Sequence, residues 1–209
     1  MGHKLSPKSL RTGTFLPWGS RWFSEKDYAS FVAEDAKIRR FIAGKLSEAG
    51  LESVEIERSG TKVKVIISVS KPGLVIGRGG AGVEIIRESL AKVVSGQLEL
   101  EVKEVKAPST SAPILAQRIA QALERRGQYK RVINEVAEEA ISRGAKGVKI
   151  ELSGRLGGKE IARTEKVTRG SIPLSTLRAN IVFSQSISKT RYGSIGVKVW
   201  VYLGEIEEE

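Results

Sequence analysis

Between Pro72 and Gly82 the chain carries five glycines in eleven residues. No single helix or strand runs through such a stretch, because glycine frees the backbone to bend and supplies no side chain to pack. Three readings of the loop compete. Gly77, Gly79 and Gly82 match G-x-G-x-x-G, the dinucleotide fingerprint, with Glu99 downstream. That reading needs a strand ending at the first glycine, whereas Pro72-Gly73 leaves only Leu74-Val75-Ile76, and no run of βαβ units follows. A plain glycine-rich turn between helices is the second. The third takes Ile76-Gly77-Arg78-Gly79-Gly80 as I-G-x-x-G, a loop between two short helices whose backbone presses on that of a nucleic acid. Gly77 and Gly80 then permit the approach, the backbone amides face phosphate, and Arg78 adds charge.

The flanking pattern favours the third reading. Ser24 and Asp27 resemble a capping box ahead of Tyr28, Phe31, Val32, Ile38, Phe41, Ile42, Leu46 and Ala49, which recur at helical spacing until Gly50. Val54 and Ile56, then Val63, Val65 and Ile67, alternate around a Ser59-Gly60 turn and predict a hairpin. After the glycines, Val83, Ile86, Leu90 and Val93 predict a helix, and Leu98, Leu100 and Val102 a strand. The order α-β-β-(glycine loop)-α-β is that of a type II KH domain, expected over residues 17–107. Residues 1–16 read as an extended basic arm.

Two prolines and three hydroxyl residues make 108–113 a linker candidate. Two helices follow, one on Ile114, Leu115, Ile119 and Leu123, the other on Val132, Ile133, Val136, Ala140 and Ile141. Strands are expected at Val148/Ile150/Leu152, around 161–169, at 181–188 and at 195–203, with Tyr192-Gly193 turning the last pair. The fold class is therefore α+β: a KH domain, then a second α+β domain over 114–204 with two helices on a four-stranded sheet, and an acidic tail at 205–209.

Charge narrows the function. The chain has 35 Lys and Arg against 24 Asp and Glu, and residues 143–198 hold twelve cations against Glu151, Glu160 and Glu165. Such an excess repels itself unless a polyanion neutralises it, and nucleic acid is the expected partner. With no cysteine and His3 as the lone histidine, thiol chemistry, disulfides and His-based metal sites fall away; no catalytic residue, metal or cofactor is expected. No apolar run approaches the roughly 20 residues of a membrane span. The loop from Ser153 to Lys159 combines small residues with Arg155 and Lys159, suited to pairing with phosphates. Arg163, Lys166 and Arg169 fall on or near one strand, with Arg178, Lys189 and Arg191 on neighbouring segments.

With these features in place, the chain resembles the bacterial ribosomal protein S three family, from Met1-Gly-His-Lys to Val199-Trp-Val-Tyr. The resemblance rests on Pro17-Trp18 with Trp22-Phe23, Pro72 to Gly77, Glu124-Arg-Arg126 and Gly144 to Lys149. It continues through Ser153 to Gly158, Ile161 to Glu165, Pro173-Leu with Thr176 to Ala179, and Tyr192 to Trp200. It implies a cytoplasmic, ribosome-bound structural protein of the small-subunit head that binds rRNA beside proteins S ten and S fourteen. It also implies a wall, shared with S four and S five, of the channel through which mRNA enters, where basic residues help melt mRNA structure. Arg125, Arg126, Lys130 and Arg131 are the residues expected to meet mRNA. Asn134 stands where the family usually has a third basic residue on that helix, and Glu135 follows it. For rRNA the expected set is Lys4, Lys8, Arg11, Arg143, Lys146, Arg155, Lys159, Arg163, Arg169, Arg178, Lys189 and Arg191. A free KH protein acting on mRNA or in ribosome assembly is the alternative; a Lys-based lyase is the enzyme reading still open from residues alone.

Overall fold

The computed structural model describes residues 5–94 and 96–206, and the chain divides into two compact units. One spans Trp18–Lys106; the other joins the segment up to Pro17 to the chain from Ala107 onward. Lys4 and tail residues 207–209 lie outside the described residues.

In the first unit a short strand β1 (Ser20–Arg21) precedes α1 (Tyr28–Lys45), the hairpin β2 (Leu51–Ser59) and β3 (Lys62–Val69), α2 (Pro72–Ile76), α3 (Ala81–Ala91) and β4 (Gln97–Glu104). The sheet runs β1-β2-β3-β4, antiparallel within the hairpin, while β4 lies parallel to β3. Parallel neighbours require a crossover, and α2, the glycine loop and α3 make it. The core joins Ile38 and Ile42 of α1 to Ile56, Val65 and Ile67 of the sheet and Leu90 of α3. This is the α-β-β-α-α-β order expected of a type II KH domain. The capping box is only half formed. Ser24 Oγ accepts the Asp27 N–H at 3.0 Å, but the helix starts at Tyr28, and Tyr28 and Val32 are exposed rather than core.

The second unit packs α4 (Ala112–Glu124) and α5 (Tyr129–Ser142) on an antiparallel sheet of β5 (Gly147–Gly154), β6 (Arg163–Gly170), β7 (Ala179–Thr190) and β8 (Gly193–Glu205), in the order β6-β5-β8-β7. Leu115 and Ile119 of α4 and Ile133 and Val136 of α5 meet Ile150, Leu152, Val197 and Val199.

Two expected boundaries change. Residues 108–113 are folded: a 3-10 turn at Pro108–Thr110 leads straight into α4, Ser111 O accepts the Leu115 N–H, and Ala112 is fully buried. A proline in a first helical turn forfeits no hydrogen bond, so the composition that suggested a linker instead starts a helix. The arm is not a free extension either. Its first described residues fold back on the second unit, where Arg11 is fully buried.

Candidate nucleic-acid interface

The glycine loop is built by two different demands. Gly77, Gly79 and Gly80 all have positive φ, at 69°, 62° and 85°. A side chain at Gly77 would press on Gly82 N at 3.0 Å, and one at Gly82 would overlap Val75 O, so these two glycines let α2 and α3 approach each other. Gly79 and Gly80 have nothing within 4 Å of a hypothetical Cβ and lie open to a partner's backbone. The partner-contact argument made for Gly77 thus has an internal cause as well. A helix, not a strand, precedes Gly77, which removes the dinucleotide reading. Arg78 is exposed, and Leu74 (63 % exposed) and Ile85 (59 % exposed) lie on the helices either side of the loop. Cationic and apolar surface side by side suits unstacked bases with their phosphates. The double variant Arg78→Asp/Gly79→Asp puts two carboxylates on this open rim, where a Cβ at 79 meets nothing within 4 Å and the left-handed backbone costs an aspartate about 1 kcal/mol. Its affinity for single-stranded RNA should fall about tenfold or more with the unfolding temperature lowered by only about 4–8 °C; an unaltered titration of labelled RNA would rule the loop out.

Arg125, Arg126, Lys130 and Arg131 cluster at the connection from α4 to α5, all exposed. Helix α4 ends in a Schellman motif: Arg126 N–H donates to Leu123 O at 3.0 Å and Gly127 N–H to Ala122 O at 2.8 Å. The left-handed residue is Arg126 (φ 61°), where glycine is usual. Asn134 turns its amide back on the helix, Nδ2 donating to Lys130 O at 2.9 Å.

The remaining cations divide. Lys8, Arg143, Lys146, Lys159, Lys189 and Arg191 are exposed. Arg178 pairs with Glu205 at 3.0 Å and Arg169 with Glu138 at 3.7 Å; exposed pairs of this kind hold about 1 kcal/mol or less and yield to phosphate. Arg155 ties two loops, donating through Nε to Lys159 O and through Nη1 to Tyr192 O, both at 3.0 Å. The row expected along one strand is split by the register. Val148 pairs with Arg169 and Ile150 with Val167, so Arg163 and Arg169 take the helix-covered side of edge strand β6 and Lys166 the other. That opposite face carries cations missing from the expected set: Lys149, whose Nζ lies 5.1 Å from the Trp200 ring centre, and Lys198. The alternation Val148, Ile150, Leu152 against Lys149, Glu151, Ser153 was the signal for it.

Arg11 is corrected out of the rRNA set. Nε donates to Ala179 O (2.7 Å), Nη1 to Pro7 O (2.9 Å), and Nη2 to Thr176 O (2.9 Å) and Leu174 O (3.3 Å). Burial lowers its pKa, but an arginine stays cationic. A guanidinium can saturate several carbonyls at once, and nothing in an arm's sequence announces that it folds back to do so.

Comparison with known proteins follows the same division. Residues 37–110 match the family described as KH domain, and residues 119–201 match the family described as Ribosomal protein S3, C-terminal domain. The small ribosomal subunit protein uS3 of Caldicellulosiruptor bescii is 48 % identical over 208 residues, 99 % of this chain and 94 % of that protein. The proteins of the same name from Desulfitobacterium hafniense and Bacillus cytotoxicus are 46 % and 44 % identical, with the same coverage.

Proposed function

The chain belongs to the small ribosomal subunit protein uS3 family, and from that membership we propose that it is a constituent of the small-subunit head, binding rRNA and gripping mRNA where it enters. It is a structural rather than catalytic protein, as its family is, and it works on the cytoplasmic ribosome. The rRNA contacts fall to the exposed cations of the second unit, with S ten and S fourteen as neighbours in the head and S four and S five around the incoming mRNA.

The observation that carries the mRNA reading is the cluster Arg125, Arg126, Lys130 and Arg131. Their side chains have no ion pair or side-chain hydrogen bond among the described residues, and all project from one exposed connection. Unpaired cations so close together repel one another and are relieved by a polyanion. Asn134, bonded to its own helix, adds no charge to this grip.

Ribosomes reconstituted with Lys130→Ala/Arg131→Ala should translate through a stable mRNA hairpin several-fold more slowly. Those with Asn134→Lys should be faster than the parent. Both variants should still cosediment with small subunits, because their rRNA contacts lie elsewhere. Hairpin translation at the parent rate by the double alanine variant would sink the mRNA reading, and a parent protein found mainly off the subunit would sink the wider one.

A further inference from the structure

The α4–α5 connection also forms one wall of a cleft of about 530 Å³, within the range of about 300–1,000 Å³ typical of small-ligand sites. Arg126, Arg155, Lys189 and Arg191 line it together with two aromatic rings, Tyr129 and Tyr192. The single acid among its described lining residues is Glu124, and one of its oxygens is occupied, Oε1 accepting the Lys189 backbone N–H at 2.9 Å. The side chains of Arg126, Lys189 and Arg191 have no ion pair among the described residues. Four cations against one carboxylate leave the cleft strongly positive.

Each ring lies near one of two adjacent glycines. A Cβ at Gly157 would lie 3.9 Å from Tyr129 Cε1, and one at Gly158 would lie 3.0 Å from Tyr192 Cε2. Glycine at 158 therefore lets the Tyr192 ring lie close on the loop, while 59 % of that residue stays open. Arg126 is held at the cleft by the Schellman cap that ends α4, in the left-handed position at φ 61°.

The geometry points to a nucleotide subsite: the cleft holds one unstacked nucleotide of a single-stranded RNA, its base against Tyr192 and its flanking phosphates on Arg126, Lys189 and Arg191. Aromatic platforms beside cations are how proteins hold single strands without reading sequence. A strand fits better than a free nucleotide, because the cations continue out of the cleft onto α5 as Lys130 and Arg131. The inference rests on the RNA-gripping role proposed for the α4–α5 connection, and adds that a base as well as phosphates is held there.

The test uses the full-length chain carrying Arg78→Asp/Gly79→Asp, so that the glycine loop of the first unit adds no base contact of its own, and two labelled oligomers, a short oligouridine and an abasic strand of equal length. This parent should bind oligouridine at least about fivefold more tightly than the abasic strand, the lower end of one base–aromatic stack. Tyr192→Leu should erase that advantage without changing abasic binding, and Tyr192→Phe, which keeps the ring, should retain it. An advantage that survives Tyr192→Leu, or one absent from the parent, overturns the subsite. Neither result touches the α4–α5 grip, which fails separately if Lys130→Ala/Arg131→Ala leaves abasic binding unchanged. In assembled small subunits, 4-thiouridine placed either in the mRNA or in the rRNA identifies the strand by the arm that crosslinks to the Tyr192 peptide. No crosslink in either arm also overturns the subsite.

Discussion

Replacing Arg11 with alanine is expected to destabilise the second unit by about 3–5 kcal/mol. Four carbonyls, of Pro7, Leu174, Thr176 and Ala179, lose their donors together, and each buried acceptor left unmatched costs about 1–3 kcal/mol before water relieves some of it. The arm loses its anchor, and β7, which begins at Ala179, loses a clamp at its first residue. Thermal unfolding should shift down by at least about 10 °C for a unit of this size. Hydrogen exchange should locate the loss at the start of β7, with α1 and the β2–β3 hairpin unaffected. Arg11→Lys should recover little, because one ammonium cannot reach the same carbonyls with a planar fork. If Arg11→Ala melts with the parent, the arm is an ornament to the fold and Arg11 is free to be reconsidered as an RNA contact.

Asp35→Ala should cost the first unit a similar amount, again about 3–5 kcal/mol, by taking one of two carboxylates from a buried cation and the shared acceptor from Ser20 and Trp22. The Arg58 side chain is only 4 % exposed; its Nη2 donates to Asp35 Oδ1 at 2.6 Å and its Nη1 to Glu34 Oε2 at 2.9 Å. The guanidinium lies 4.5 Å from the Phe31 ring centre and 5.9 Å from that of Trp22. Asp35 Oδ2 meanwhile accepts from Ser20 Oγ at 2.8 Å and Trp22 Nε1 at 2.9 Å. One carboxylate therefore holds β1, the Trp22 ring and β2 against α1. The triple change Glu34→Gln/Asp35→Leu/Arg58→Met removes all three charges and should restore most of the stability, since apolar or neutral groups of similar volume often equal a buried ion-pair network. Chemical denaturation of the two variants checks this: a triple variant as unstable as Asp35→Ala would mean that the lost hydrogen bonds to Ser20 and Trp22 dominate instead.

These two networks mark where reading the chain falls short. Asp35 and Arg58 lie 23 residues apart, and Arg11 and Ala179 lie 168 apart. Neither pair leaves a periodic trace, because a hydrogen bond between distant residues depends on where two elements come to rest. The helices and strands are different. Ile38 with Ile42, Leu115 with Ile119, and Val148, Ile150 and Leu152 all occur in the core that their spacing predicts. A spacing of four on a helix, or of two on a strand, fixes which side can be buried before any partner is known.

The candidate interface divides in the same way. Gly77 to Gly80 were legible because a turn between two helices has few solutions, and the family motifs from Pro17 to Trp200 were legible as ordered strings of residues. The roles within them were decided by the fold. The requirement for glycine at positions 77 and 82 comes from the approach of α2 to α3. The β5–β6 register placed Arg163 and Arg169 on the opposite side of the sheet from Lys166. The folding back of the arm converted Arg11 from a presumed phosphate contact into an internal clamp. By itself the sequence determined the elements, their order and an excess of positive charge, since these depend on local sterics and composition. Which cations remain free for RNA was decided only by tertiary structure, because a side chain's partners are set by distances between elements that the order of residues does not contain.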